Sequence, residues 1–301
     1  MTQRVGFIGL GDMGVPMAGR LADAGLQPLV WSRRAESADS VVARGAELAT
    51  SIDALFATCD RVVLMLANAR AMDEVLGRKT ADFSRRLAGV TLIHMGTTPP
   101  DHSQALAEDV ISAGGQYAEV PVSGSTGPAA SGDLVAMTAG SPEALAAAED
   151  IVAHMCRAVV PCGAVPKALQ MKLAVNTYLA GLATGLFEAF NLARKAELDL
   201  DTFASVLEAG PMNCDLMRMK LPKLLREDYT PQGSIRQACN NMQMIVDEGA
   251  RVGAAVPIVM IILELVEEAS RTGWDAEDMT AIAKVLAARG PDVESDTTST
   301  G

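Results

Sequence analysis

A glycine-rich segment near the start of the chain has the residue types and spacing of a phosphate-binding loop. Gly9-Leu10-Gly11-Asp12-Met13-Gly14 fits the pattern Gly-x-Gly-x-x-Gly and begins at the end of the apolar run at residues 4–9. In such loops the first glycine permits a tight turn, the second lets the backbone approach a pyrophosphate, and the third allows close helix–strand packing. The segment predicts a site for a dinucleotide cofactor. An ordinary glycine-rich turn is the alternative interpretation.

A basic segment follows the second apolar run, at residues 28–31, and reads Ser32-Arg33-Arg34. Proteins that select NAD usually carry Asp or Glu here to hold the ribose 2′-hydroxyl, whereas a basic residue accommodates the 2′-phosphate of NADP. The next acidic residue is Glu36, beyond the end of this run. The pattern therefore favours NADP over NAD. Arg33 could instead stack on an adenine ring, or both arginines could be solvated surface residues.

Both segments need a scaffold that brings the ends of strands together. Short apolar runs alternate with helical stretches, and the runs are residues 4–9, 28–31, 61–66, 90–94, 116–122 and 134–139. This alternation predicts βαβ units and a mainly parallel, doubly wound sheet. We expect residues 1–163 to form a Rossmann-type nucleotide-binding domain.

The remainder of the chain has helical periodicity and no convincing strand pattern. One long helix is predicted over residues 164–194, followed by an all-helical domain over residues 195–290. Its predicted helices are residues 201–209, 215–226, 233–252, 257–272 and 275–288. The tail, residues 291–301, is polar and acidic, which predicts disorder.

Two further segments carry polar groups at suggestive spacing. Ser123-Gly124-Ser125 forms a run of small residues after the fifth predicted strand, and Lys172 and Asn176 lie one helical turn apart on one face. Together with the glycine-rich segment, these resemble the three signatures of the β-hydroxyacid dehydrogenase family. The resemblance extends over about residues 4–288 in the family's order, and its details are most similar to the semialdehyde reductase branch.

The resemblance implies an NADP-dependent oxidoreductase that acts on a small β-hydroxyacid or semialdehyde. Lys172 matches the family's general acid/base, which exchanges a proton with the substrate oxygen, and Asn176 would hydrogen-bond the substrate. The turn Ser123-Gly124-Ser125 matches the segment that binds the substrate carboxylate. Residues that match the borders of the cofactor site are Leu66, Ala67, Thr97 and Asn240.

The chain departs from the family pattern at several positions. The family's lysine at the cofactor is replaced by Asn240, which removes a positive charge from the site. The family's Asp-x-Ser-Thr loop reads His94-Met95-Gly96-Thr97, and two expected glycines are Pro166 and Ala168. We interpret His94 as a packed histidine at the end of a strand.

Two other functions remain open at this point. An imine reductase of related fold would place Asp or Tyr at the position of Lys172, so the lysine argues against it. A non-catalytic module with this fold would have no need for Lys172. Lys172 and Asn176 could also be ordinary helix residues, and Ser123-Gly124-Ser125 only a turn.

Composition excludes several other classes. The formal net charge is −12, which argues against binding nucleic acid or an anionic membrane. Five cysteines without Cys-x-x-Cys spacing argue against a disulfide scaffold, and three histidines without ligand spacing argue against a metal site. Neither a signal peptide nor a continuous apolar span is visible, so we expect a cytoplasmic protein.

An unusually apolar segment, residues 256–263, bears on assembly. It is apolar on all sides of a predicted helix, and the long helix is also mostly apolar. A helix that is apolar all round must be buried, and a helical domain of this size has little interior for two of them. The pattern predicts a homodimer with the second domains in contact, and the family resemblance implies dimers or tetramers.

Overall fold

The computed structural model describes residues 4–289 and divides the chain into two compact units. The first unit comprises the chain up to Asn176 together with Asp247–Ala254, and the second comprises Thr177–Val246 together with the chain from Ala255 onward. The division falls inside a long helix. The predicted disordered tail, residues 291–301, lies outside the described residues.

A nine-stranded sheet forms the centre of the first unit. Its strands are β1 (Val5–Ile8), β2 (Leu29–Trp31), β3 (Glu47–Leu48), β4 (Arg61–Leu64), β5 (Thr91–His94), β6 (Gln116–Glu119), β7 (Val122–Ser123), β8 (Leu134–Gly140) and β9 (Cys156–Gly163). The order is β3-β2-β1-β4-β5-β6-β8-β7, with β9 paired to β8. All neighbours from β3 to β6 are parallel, whereas β8 runs antiparallel to β6 and β7. The predicted doubly wound, mainly parallel sheet is confirmed.

Two strands were absent from the sequence prediction, and one predicted strand is divided. β3 has only two residues, both exposed, so it shows no alternation. β9 leaves Val159 and Val160 about half exposed, and it lacks the apolar pattern of a central strand. The predicted strand at 116–122 is split into β6 and β7 at Pro121, which has no N–H to donate to a neighbouring strand.

Eight helices of the first unit cover the two faces of the sheet. They are α1 (Gly14–Asp23), α2 (Asp39–Val42), α3 (Ile52–Thr58), α4 (Ala69–Leu76), α5 (Ala81–Leu87), α6 (Pro100–Ser112), α7 (Thr126–Ser131) and α8 (Pro142–Ala153). Phe7 and Ile8 in β1 are both fully buried and belong to different hydrophobic clusters, because successive strand residues face opposite sides of a sheet. The helices thus close a core on each face.

The long helix α9 (Lys167–Lys195) begins four residues after β9 ends and passes from the first unit into the second. By length and composition it could cross a membrane, with a mean hydropathy of 1.2 over its most apolar part. The expectation concerned a continuous apolar span, which α9 is not; its average hydropathy qualifies because an average tolerates isolated polar residues. Core helices of globular proteins pass the same test, so this property alone decides nothing.

The second unit is all-helical, as predicted. Its helices are α10 (Leu200–Ala209), α11 (Asp215–Leu225), the first part of α12 (Ile235–Val252), α13 (Pro257–Arg271) and α14 (Ile282–Ala288). A fully buried carboxylate, Asp278, ties its elements together. It pairs with Lys220 Nζ at 2.8 and 2.9 Å and accepts the backbone N–H of Gln232 at 2.8 Å.

Asp278 also explains why the last helix is shorter than the predicted 275–288. Its side chain accepts the Thr280 N–H and caps a 3₁₀ turn, Met279–Ala281, and α14 starts only after that turn. An aspartate is more favourable at the N-terminal cap of a helical turn than inside a helix, because its side chain accepts hydrogen bonds from nearby backbone N–H groups.

Residues 256–263 were expected to carry more apolar surface than one helical domain could cover, and part of this surface is exposed in the single chain. Val259 and Ile262 in α13 are buried, but Ile258, Met260 and Ile261 are 64%, 54% and 57% exposed. One face of α13 packs within its unit and the opposite face carries uncovered apolar side chains.

Candidate active site

The predicted cofactor residues other than Asn240 lie on loops that leave one edge of the sheet. The Gly9 N–H donates to the Trp31 carbonyl at 3.1 Å, and the Met65 N–H donates to the Ile8 carbonyl at 2.9 Å. The loops that follow β1, β2 and β4 are therefore neighbours. Carboxyl ends of parallel strands are where doubly wound folds bind ligands.

Within the glycine-rich loop, two glycines are required by the protein itself and one is not. Gly9 has φ +103°, and a Cβ on Gly14 would lie 1.8 Å from the Gly9 carbonyl oxygen. A Cβ on Gly11 would meet nothing within 4 Å. Gly11 therefore leaves open space where a ligand can approach the backbone, which fits a pyrophosphate.

The first turn of α1 has the properties of an anion site. No side chain among the described residues caps it, and it contains no acidic residue. Its free N–H groups and the positive end of the helix dipole are available to a phosphate. Of the other loop residues, Leu10 is buried, Met13 packs against the core and Asp12 is exposed.

The segment Ser32-Arg33-Arg34 leaves β2 beside this loop. Ser32 is half-buried, and Arg33 and Arg34 are exposed. Within residues 4–289, neither guanidinium forms a hydrogen bond or an ion pair with a side chain. Both are free to meet a ligand that reaches this edge.

The loops after β4 and β5 are in contact. A Cβ on Gly96 would lie 2.9 Å from the Leu66 carbonyl oxygen, so a serine at this position would have to displace backbone. This contact gives a steric reason for the glycine where the family has serine. Leu66 also approaches Gly9, since its Cδ2 would lie 3.0 Å from a Cβ there, and Ala67 and half-buried Thr97 border the same edge.

The small-residue turn follows β7. Gly124 has φ +137°, and a Cβ there would lie 2.6 Å from Leu134 Cδ2, so only glycine fits. Ser125 precedes the first turn of α7, and its Oγ is buried without a hydrogen-bond partner among the described residues. A buried hydroxyl that lacks a partner is available to a ligand oxygen.

Lys172 and Asn176 lie in the part of α9 that belongs to the first unit. They are 8% and 6% exposed, so Lys172 is not a solvated helix lysine. Burial lowers the pKa of Lys172 from 10.5 to about 8, because a charged amine loses hydration inside the protein. An amine with this pKa exchanges a proton readily near neutral pH.

A hydrogen bond connects the start of α9 to the same edge of the sheet. The Leu169 N–H donates to Glu119 Oε1 at 2.9 Å, and Glu119 is the last residue of β6. β6 leads directly into the turn at Ser123. The helix that carries Lys172 thus begins beside the strand that leads to the serine turn.

Glu119 belongs to a buried polar chain that the sequence analysis missed. Its partner is Ser103 in α6, which contacts Tyr117, and the Tyr117 hydroxyl is 2.6 Å from His94 Nδ1. His94 is fully buried, and burial lowers its pKa to about 3, so the interpretation of a packed strand-end histidine is confirmed. An acid inside an otherwise apolar strand run was the available signal.

Asn240 lies in the second unit, on α12, with its side chain exposed. Its predicted place at the cofactor stays a prediction. Among residues 4–289, no group of three or more His, Cys, Asp or Glu side chains is arranged to hold a metal ion.

Comparisons with known proteins identify the family of the chain. Residues 4–163 match the NAD-binding domain of 6-phosphogluconate dehydrogenase, and residues 167–286 match the NAD-binding family of NADP-dependent 3-hydroxyisobutyrate dehydrogenase. Glyoxylate/succinic semialdehyde reductase 2, chloroplastic, of Arabidopsis thaliana is 29% identical over 288 residues, which are 95% of this chain and 80% of the relative. L-Threonate dehydrogenase of Cupriavidus necator is 29% identical over 294 residues, with 95% and 97% of the two chains covered.

A solved structure supports the fold. The 3-hydroxyisobutyrate dehydrogenase of Salmonella typhimurium superposes with a TM-score of 0.85 at 23% identity, covering 94% of this chain and 99% of the other. The two family matches together extend from the glycine-rich loop to α14. The chain is a member of the β-hydroxyacid dehydrogenase family of NAD(P)-dependent oxidoreductases.

Proposed function

We propose that the protein is an NADP-dependent reductase and dehydrogenase of a small β-hydroxyacid or semialdehyde, with Lys172 as general acid/base. The observation that carries this proposal is the burial of Lys172, which lowers the pKa of its amine to about 8. A structural helix lysine is buried with a charged partner, as Lys220 is with Asp278, because desolvation of an unpaired amine is unfavourable.

The chemistry assigned to Lys172 is a proton transfer. When bound, the nicotinamide cofactor supplies the hydride in reduction and accepts it in oxidation. In reduction, the Lys172 ammonium donates its proton to the substrate carbonyl oxygen and becomes a neutral amine, so the carbonyl becomes a hydroxyl. In oxidation, the neutral Lys172 amine accepts the hydroxyl proton.

The substrate class follows from the polar groups around the turn after β7. The unpartnered Ser125 hydroxyl and the backbone of Gly124 can donate hydrogen bonds to a carboxylate. Ser123 precedes them, and Asn176 lies one turn from Lys172, where its amide can hold the substrate. Short acids that carry a carbonyl or hydroxyl near the carboxylate suit such a site.

The preference for NADP is supported by Arg33 and Arg34. Their free guanidinium groups follow β2, where a carboxylate would repel a 2′-phosphate and hold a 2′-hydroxyl instead. Arginine is suited to phosphate because its planar fork donates two parallel hydrogen bonds.

The uncovered apolar face of α13 supports a homodimer formed through the second unit. Ile258, Met260 and Ile261 are more than half exposed in the single chain, and Tyr178 and Leu192 of α9 are 73% and 70% exposed. Two-fold pairing would remove such surface from water, which stabilises the dimer by roughly 25 cal/mol for each Å² of apolar surface buried.

A substrate panel tests the reaction class. With NADPH, we expect reduction of at least one short semialdehyde or oxo acid. We expect no turnover of cyclic imines, because Lys172 stands where the family has the general acid that protonates a carbonyl oxygen. Absorbance of the reduced nicotinamide at 340 nm measures the rate for each compound. Turnover of imines alone would instead establish an imine reductase, and inactivity on the whole panel would contradict the proposal.

Lys172→Ala tests the proton transfer. We expect unchanged NADPH binding by fluorescence titration and a loss of turnover of at least ~10²-fold, the scale of a lost general acid. In the native enzyme, kcat for reduction should fall as pH rises through about 8, and kcat for oxidation should rise there, because reduction needs the ammonium and oxidation the amine. Lys195→Ala, at the exposed end of the same helix, is the matched control and should retain native rates.

Arg33→Ala tests the cofactor preference. A lost charged hydrogen bond is worth roughly 1.5 to 3 kcal/mol, so NADPH binding should weaken by about 10- to 150-fold. NADH lacks the 2′-phosphate and serves as the internal control. Equal weakening for both cofactors, measured as Kd by fluorescence titration, would mean that Arg33 stacks on the adenine or plays no part.

Light scattering at micromolar concentration tests the assembly. We expect a mass at least twice the 31.5 kDa of one chain, and a shift toward one chain in Ile261→Glu, because a charge in a buried apolar interface is unfavourable. Val206→Glu, at an exposed apolar position of α10, is the control and should not change the mass. A single 31.5 kDa species in the native protein would exclude the dimer.

A further inference from the structure

A chain of four buried polar side chains runs from the end of β5 to the start of the helix that carries Lys172. His94, Ser103 and Glu119 are fully buried and Tyr117 is 3% exposed. Tyr117 OH lies 2.6 Å from His94 Nδ1 and 2.8 Å from Ser103 Oγ, and the Ser103 hydroxyl donates to Glu119 Oε2. None of these groups faces solvent, so their hydrogen bonds are made within the protein.

The chain ends on backbone N–H groups of α9. Glu119 Oε1 accepts the Leu169 N–H at 2.9 Å, and the Ala168 N–H also contributes to holding this carboxylate. Both residues are in the first turn of α9, whose N–H groups have no acceptor within the helix. A buried carboxylate at this position stabilises the first turn through hydrogen bonds and through the helix dipole.

One set of proton positions that makes every contact in this chain a hydrogen bond has Glu119 ionised. His94 is neutral and carries one N–H, and Tyr117 and Ser103 each carry one O–H. With Glu119 ionised, every contact is a hydrogen bond if His94 Nδ1 donates to Tyr117, Tyr117 to Ser103, and Ser103 to Glu119. Each donor then uses its single proton. The carboxylate accepts a hydrogen bond from the Ser103 hydroxyl in addition to the one from the Leu169 N–H of α9.

Lys172 lies one turn beyond Ala168 on the same face of α9. The burial that lowers the pKa of Lys172 to about 8 requires that this part of the helix stay in place. Glu119, from β6, is separated from Leu169 by fifty residues of sequence. Its side chain joins the first turn of α9 to the sheet through the hydrogen bond from the Leu169 N–H.

We propose that Glu119 is a positioning residue for Lys172: its carboxylate, held by Ser103, Tyr117 and His94, fixes the first turn of α9 and thereby the buried place of the Lys172 amine. Glu119 itself touches neither substrate nor cofactor in this role. The inference rests on the proposed function for its catalytic meaning, but the structural link can be measured without cofactor or substrate.

The test compares two replacements of Glu119 that differ in hydrogen bonding more than in size. Glu119→Gln keeps an oxygen that can accept the Leu169 N–H, whereas Glu119→Leu removes both acceptors and keeps a side chain of similar bulk. In the free protein, acetic anhydride labelling of Lys172 as a function of pH, read by mass spectrometry, measures the pKa of the amine. Hydrogen exchange of the Leu169 amide measures the order of the first turn.

We expect Glu119→Leu to differ from the native protein and Glu119→Gln to resemble it. In Glu119→Leu the Leu169 amide exchanges faster, the pKa of Lys172 rises from about 8 toward 10.5 as water reaches it, and kcat falls on the order of 10²-fold with little change in cofactor Kd. In Glu119→Gln all three quantities stay near the native values. Native Leu169 exchange and a native Lys172 pKa in Glu119→Leu would overturn the proposal, as would equal losses in Leu and Gln variants.

Two further variants keep the test decisive. If Glu119→Leu does not fold, Ser103→Ala, which removes one hydroxyl from the carboxylate, should shift Leu169 exchange and the Lys172 pKa in the same directions; native values there would overturn the proposal. Asp150→Asn is the control for general destabilisation. It removes the negative charge that pairs with buried Arg61, 2.7 Å away in the same unit, and should lower the unfolding midpoint without moving the Lys172 pKa.

The catalytic role of Lys172 and the positioning role of Glu119 can be contradicted independently of each other. If Lys172→Ala keeps native turnover while Glu119→Leu still raises the pKa of Lys172, the positioning role is correct and the catalytic assignment is wrong. If Lys172→Ala is inactive and Glu119→Leu leaves the amine unchanged, the catalytic assignment stands and the positioning role is wrong.

Discussion

The hydrogen bond between the Leu169 amide and Glu119 joins the two parts on which the candidate active site depends. One part is the edge of the parallel sheet, where the loops for a dinucleotide leave the strands. The other is α9, which carries Lys172 and Asn176 and continues into the second unit. The first turn of a helix has N–H groups that need acceptors, and a buried carboxylate on a strand end meets that need while tying the helix to the sheet. The position of the amine is therefore connected to the position of the sheet edge.

Burial acts on three ionisable groups of this region with different consequences. It lowers the pKa of Lys172 to about 8 and that of His94 to about 3, and it raises the pKa of Glu119. Desolvation always disfavours the charged form, so the sign of each shift follows from the charge of the group. For Glu119, the Ser103 hydroxyl and backbone N–H groups of α9 offset part of the rise in pKa that burial causes. For Lys172, burial is the cause of the pKa shift, and this suits the proposed role of the amine in giving up a proton and taking it back.

Three of the departures from the family pattern differ in how the structure accounts for them. Gly96 replaces a serine where a Cβ would come within 2.9 Å of the Leu66 carbonyl oxygen. His94 replaces an acid; its Nδ1 is in a buried contact with Tyr117, and its buried Nε2 has no hydrogen-bond partner among the described residues. Asn240 replaces a lysine on an exposed part of α12, and nothing in the structure explains that change.

Local sequence predicted the glycine-rich loop and most of the strands and helices. Gly9, Gly11 and Gly14 marked the phosphate loop because their spacing reflects backbone requirements, and apolar periodicity marked the central strands and the helical second unit. Local pattern did not reveal β3 or β9, which are short or half-exposed, nor the late start of the last helix after the Asp278 cap. It also did not reveal the role of Glu119, whose partners come from α6 and α9. Those contacts, and the burial that lowers the pKa of Lys172, join residues far apart in the chain. Periodicity records only which face of its own element a residue occupies, so only the tertiary structure decides which groups meet there.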